Sequence, residues 1–119
     1  MSEFTIPGEL PSMNEIIAAS KKHHMVYANM KKDYTALVQI SAGNLPKFNK
    51  ADFEVTWYCK DKRKDPDNIA GGGTKFILDG LVKAGKLKND GWNEIGEIRN
   101  YFEVDKSNPR VVVKMKEVG

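Results

Sequence analysis

Nine consecutive residues, Asp52 to Lys60, alternate in polarity without a break. Phe53, Val55, Trp57 and Cys59 fall on one side, and Glu54, Thr56, Tyr58 and Lys60 on the other. Side chains of a strand point to opposite faces with period two, so this segment predicts a strand with one buried face. Such a strand needs a sheet around it and a cover over its apolar side. The chain has 119 residues, enough for one domain with a real core and too few for two.

Helical spacing supplies the cover. From about Met25 to Ala42, the positions Val26, Met30, Tyr34, Leu37, Val38 and Ser41 recur at helical intervals, with Lys31, Lys32, Asp33 and Gln39 on the other face. Gly43-Asn44 closes that helix. A second helix is predicted from about Thr74 to Lys83, with Ile77, Leu78, Leu81 and Val82 inward and Ala84-Gly85 at its end. Glu3 to Ile6 suits a first strand, ended by Pro7-Gly8. Pro11 to Asn14 reads as a turn in which Ser12 or Asn14 can cap a helix. Residues 43–50 read as a polar loop, and residues 61–73 as a long loop ending in Gly71-Gly72-Gly73. Asn93 to Val104 and Pro109 to Val118 suit two more strands, joined by a hairpin-like turn over residues 105–109. The order β-α-β-α-β-β predicts an α+β fold: a mixed four-stranded sheet with two main helices on one face.

Cys59 is the single cysteine. No intramolecular disulfide can form, and a reducing, cytoplasmic setting is expected. Its place in the alternating strand makes it a small buried side chain. No apolar run approaches the roughly 20 residues needed to span a bilayer. Met1-Ser2-Glu3-Phe4 lacks the basic and apolar regions of a secretory signal. The net charge of +3 is mild, but the cations cluster at Lys21-Lys22, Lys31-Lys32, Lys60 to Lys64, and Lys83-Lys86-Lys88.

Within the basic stretch Lys60, Lys62, Arg63 and Lys64 comes an acidic pair, Asp65-Pro66-Asp67. Pro66 pushes Asp65 towards extended geometry, and residues i and i+2 of an extended chain project to the same side. Both carboxylates then face one space that a cation can bridge. Hard cations such as Mg²⁺ take carboxylates, water and substrate phosphate as oxygen ligands, and surrounding lysines attract the phosphate. Asp, Pro and Asn are equally ordinary turn residues. An EF-hand is excluded, because Ile69 stands where its fifth position needs an acid or amide. Asp90 is a third acid, within Asn89-Asp90-Gly91, a sequence that also reads as a turn. If the strand at 52–60 and the helix at 74–83 pack side by side, the chain after the helix returns Asp90 towards Asp65 and Asp67.

Gly71-Gly72-Gly73-Thr74-Lys75 is not a P-loop, which requires Gly-Lys followed by Ser or Thr. No nucleotide cofactor is expected. A lysine in the first turn of a helix opposes the helix dipole, so Lys75 is expected to have a carboxylate or phosphate partner, with Asp79 the ordinary candidate. His23-His24 reads as a flexible basic segment. Trp92 suits either a base-stacking role or a cap on the core edge.

Asp65-Pro66-Asp67-Asn68-Ile69, then Lys75 to Asp79-Gly80-Leu81-Val82-Lys83-Ala84-Gly85, then Asn89-Asp90, resembles the RusA family of Holliday junction resolvases, carried by many phages and prophages. Leu10-Pro11-Ser12-Met13-Asn14 is similar to that family's N-terminal Pro-Ser-x-Asn segment, and the likeness spans almost the whole of residues 1–119. The resemblance implies a single endonuclease domain. It implies a homodimer that cuts four-way DNA junctions by paired nicks in recombination and repair, leaving 5′-phosphate and 3′-hydroxyl ends. It implies Mg²⁺, with Mn²⁺ as a second fitting cation, held by Asp65, Asp67 and Asp90, with Lys75 assisting at the phosphate. Lys60, Lys62, Arg63, Lys64, Lys31 and Lys32 are expected to hold the DNA arms. One departure stands out: the stretch Ala70 to Thr74 is longer and richer in glycine than in better-known members. Two alternatives are a non-catalytic DNA-binding protein of the same fold and a less selective nuclease for flaps or other branched DNA.

Overall fold

In the computed structural model, which describes residues 1–119, the alternating segment forms the strand Ala51–Cys59, with every second residue buried. The strands are β1 (Ser2–Pro7), β2 (Ala51–Cys59), β3 (Ile95–Val104) and β4 (Arg110–Glu117). They form one sheet in the order β1-β4-β2-β3. β4 runs antiparallel to both β1 and β2, and β3 runs parallel to β2. The mixed four-stranded sheet is the expected one. The turn over residues 105–109 is not a hairpin, because β2 lies between β3 and β4. The Asp105 N–H donates to the Cys59 carbonyl at 2.8 Å, so the turn passes over the end of β2. Turn residues dictate a reversal of direction; they do not dictate which strand becomes the neighbour.

Three helices cover the apolar face: α1 (Met13–Lys22), α2 (His24–Ser41) and α3 (Pro66–Lys83). α2 and α3 are the two long helices expected, and α1 is an additional short one. Its start is a capping box: the Ser12 hydroxyl accepts from the Glu15 N–H, and the Glu15 carboxylate accepts from the Ser12 N–H. His23 is extended, with φ −166° and ψ 143°, and its Nδ1 accepts from the Met25 N–H at 3.1 Å. The His23-His24 pair is therefore the corner between two helices rather than a flexible segment.

α3 begins at Pro66, not at Thr74, and carries the glycine run within it. Proline suits a first helical turn. Each interior glycine costs about 1 kcal/mol relative to alanine, so packing must compensate. A Cβ on Gly72 would overlap the backbone of Ser12 and Met13, and one on Gly73 would overlap the Trp57 ring. The glycines let the backbone at the start of α1 and the Trp57 ring of β2 pack directly on the α3 backbone. Lys75 consequently sits mid-helix, where the dipole expectation does not apply. The loop at 43–50 is only partly polar: Leu45 and Phe48 are buried, and the Phe48 N–H donates to the Lys86 carbonyl at 2.8 Å.

The core joins Phe53, Val55 and Trp57 of β2, Val111, Val113 and Met115 of β4, and Val38, Phe76, Ile77 and Leu81 of the helices. Cys59 is buried and free, as its place in the strand predicted. No helix is long and apolar enough to cross a membrane.

Candidate active site

Asp65 is the N-cap of α3, with φ −71° and ψ 146°, yet its side chain makes no capping bond. An aspartate at that position normally binds a first-turn N–H, so this carboxylate is free for another partner. Asp67 lies inside the first helical turn, and its Oδ1 accepts from the Asn68 N–H at 2.9 Å. The two acids do not project from one extended stretch as expected, because Pro66 starts a helix. Both remain exposed at the positive end of α3. Asn68 Oδ1 accepts from the Asn14 N–H at 2.9 Å, which ties the start of α1 to the start of α3 beside Asp67.

Two clefts lie one after the other between α3 and β3. The first, about 590 Å³, is lined by Gly71, Thr74, Lys75 and Asp79 of α3, Ile98 and Asn100 of β3, Tyr27 and Lys31 of α2, and Asp90. The second, about 520 Å³, is lined by Asp65, Pro66 and Ile69 of α3, Phe102 and Val104 of β3, and Lys62 and Lys64. Ile98, Asn100, Phe102 and Val104 pair with the inward residues of β2, so both clefts share one wall. Asp67 is spaced four, seven and eight residues from Gly71, Thr74 and Lys75, which places all of them on one face of α3.

Of the expected site residues, the structure brings Asp90 into one cleft with Lys75 and Asp79. It brings Asp65 into the other with Lys62 and Lys64. Asp65 and Asp90 do not share a cleft. No group of three or more His, Cys, Asp or Glu side chains lies close enough together to hold a metal ion. Lys75 is eight residues beyond Asp67, about 12 Å along the helix axis. Lys75 and Asp79 make none of the four ion pairs in the structure. Singly, Asp65, Asp67 and Asp90 each offer carboxylate oxygen, the donor type a hard cation takes.

The expected DNA-contacting cations divide into free and committed groups. Lys60 and Lys62 are exposed. Arg63 is 3.7 Å from Asp61, with its side chain largely in water. Lys64 Nζ is 2.7 Å from Glu15 Oε1, so its charge is already matched. Burial alone would push the Glu15 carboxyl up; bonds from Lys64 and Ser12 outweigh it and hold the group below its ordinary value. Burial likewise works against the Lys64 ammonium, and Glu15 more than offsets it, so that Lys64 titrates above its ordinary value. Lys31 lines the first cleft, and Lys32 lies with Lys83 on the adjoining surface between α2 and α3.

Asn100 and Tyr27 were not legible as cleft residues. Asn100 Oδ1 accepts from Trp57 Nε1 at 2.9 Å, and no local pattern announces a bond across two strands. Trp92 does not cap the core: it is 95% exposed. Its turn is fixed, since the Gly91 carbonyl accepts from both the Glu94 and Ile95 N–H groups at 3.1 and 3.0 Å. Comparison with known proteins gives no matching family model and no matching curated protein.

Proposed function

We propose that the chain is a Mg²⁺-dependent endonuclease of the Holliday junction resolvase type, a cytoplasmic, phage- or prophage-encoded homodimer that cuts branched DNA in recombination and repair. The observation that carries this reading is the uncapped Asp65 beside Asp67, at the head of a groove flanked by lysines and continued by Lys75 and Asp90. A polyanion binder gains nothing from exposed acids among its cations, whereas a nuclease needs them. Bound Mg²⁺ supplies charge neutralisation at the scissile phosphate and a more acidic water. In this reading Asp65 and Asp67 would hold the cation, with Asp90 as the third carboxylate from the adjoining cleft. Lys75 meets the phosphate charge further along the groove. Lys31, Lys32, Lys60, Lys62 and Arg63 grip the arms through phosphates, which carry little sequence information. The indole of Trp92 offers a stacking surface for an unpaired base.

Asp67→Asn tests the reading on labelled four-way junctions. Junction binding persists and nicking in Mg²⁺ falls; retained nicking removes Asp67 from the site. The separation of Asp65 from Asp90 favours a second reading, a DNA-binding protein of this fold without catalysis. It predicts a gel shift and no nicks with or without Mg²⁺. Competition between junction and linear duplex distinguishes a selective resolvase from a general branched-DNA nuclease.

A further inference from the structure

Asn100 stands on β3 in the wall of the first cleft, and it is exposed. Its side chain makes one bond, at Oδ1, which accepts from Trp57 Nε1 at 2.9 Å. An indole N–H can only donate, so the amide oxygen must be the end that faces it. The Nδ2 amino group is then turned away from the core with two N–H donors and no partner. Trp57 is itself held in place. It is 2% exposed, and the far edge of its ring lies so close to Gly73 of α3 that a Cβ there would overlap it. A side chain at position 73 would push the indole off α3 and carry the amide with it. The glycine run therefore bears on the cleft as well as on helix packing.

Lys31 and Lys75 line the same cleft, and neither belongs to an ion pair. A lysine is a point charge on a flexible stem; it attracts an anion without fixing where the anion sits. An amide pinned at one end fixes a position. Asp79 and Asp90 also line the cleft. They repel a bare anion, so an anion must be placed closely, beside the ammonium groups and clear of the carboxylates. That is the task a fixed neutral donor performs.

We propose that Asn100 is a phosphate-binding residue. Its Nδ2 donates to a free oxygen of a nucleic-acid phosphodiester that Lys31 and Lys75 draw into the first cleft. Trp57, seated on Gly73, is the positioning residue that keeps Nδ2 aimed at that oxygen. The contact concerns binding; its bearing on nicking rests on the nuclease reading.

The test uses the full chain and a labelled four-way junction in EDTA, so that binding is read without cleavage. Asn100→Ala raises the dissociation constant about 5- to 10-fold, the loss expected for one hydrogen bond to a charged group. Asn100 carries no charge and displaces no counterion, so the dependence of affinity on salt keeps its wild-type slope. Lys75→Ala, in contrast, reduces that slope by about one. Trp57→Phe frees the amide and weakens binding, and it adds nothing in the presence of Asn100→Ala, because both changes remove the same contact. Asn100→Asp guards against misfolding: it keeps an oxygen for the indole N–H, and it binds more weakly still because a carboxylate replaces the donor. Wild-type affinity in Asn100→Ala or Asn100→Asp overturns the proposal. So does a Trp57→Phe loss that adds in full to that of Asn100→Ala, or a wild type that does not bind the junction. Binding that depends on Asn100 with no nicks in Mg²⁺ sinks only the nuclease reading. Nicking that ignores both Asn100 variants sinks only this one.

Discussion

The two faces of α3 are built by different rules. One face carries Gly72, Gly73, Phe76, Ile77, Gly80 and Leu81, all buried against α1, α2 and β2. The other carries Asp67, Gly71, Thr74, Lys75 and Leu78, which meet solvent or line the groove. On the sealed face shape decides, down to a single methyl group. On the open face charge decides, and volume matters little. One helix thereby anchors the fold and presents the candidate chemistry, and the same kind of substitution should have opposite consequences on its two sides.

The largest expected effect is on the open face. Asp67→Asn leaves thermal unfolding near wild type, because the amide keeps an oxygen to accept from the Asn68 N–H. Nicking falls roughly 100-fold or more, since a metal ligand contributes several kcal/mol of charge stabilisation in the transition state. An equal loss of folding stability would break the contrast. Next comes Gly73→Ala on the sealed face. The added methyl meets the Trp57 ring, and overpacking of this kind costs about 1 to 3 kcal/mol; urea unfolding reads it as a lower midpoint. Smaller is Glu15→Gln, which weakens the α1 cap and releases Lys64 at the rim of the second cleft. It costs about 1 kcal/mol at neutral pH, typical of a cap. Because the Glu15 pKa lies below its ordinary 4.5, that contribution is present above the unfolded value and lost as pH falls through the folded one. Wild-type and Glu15→Gln unfolding curves therefore converge below about pH 4.5. The smallest effect has the opposite sign. Gly71→Ala meets only the end of the Met13 side chain, at ordinary contact distance, and gains about 0.5 to 1 kcal/mol from helix propensity.

This contrast also explains what the residues alone disclosed. β2 was legible because its alternation reports directly which side is buried. α2 was legible from its spacing, although Val26 proved exposed. The start of α3 was hidden because three glycines read locally as a loop, and only contacts with Ser12 and Trp57, far away in the chain, make them helical. α1 was hidden for a related reason: it buries only Ile16 and Ala19, too faint a stripe to detect. Asp65 and Asp67 stood out by their proline and their basic surroundings. The destination of Asp90 depended on the path of the chain after Lys83, which no local pattern specifies. Lys64 looked like a DNA contact until its partnership with Glu15, across 49 residues, became visible.

The sheet order has a consequence for assembly of the molecule. β1 has only β4 as a neighbour, with Ser2 opposite Met115. During synthesis the earliest strand must wait for the latest, carrying Phe4 and Ile6 without their sheet partner until the ribosome has made nearly everything between. Pairings so distant along the chain slow folding, and removing the last strand would leave the first with nothing to join.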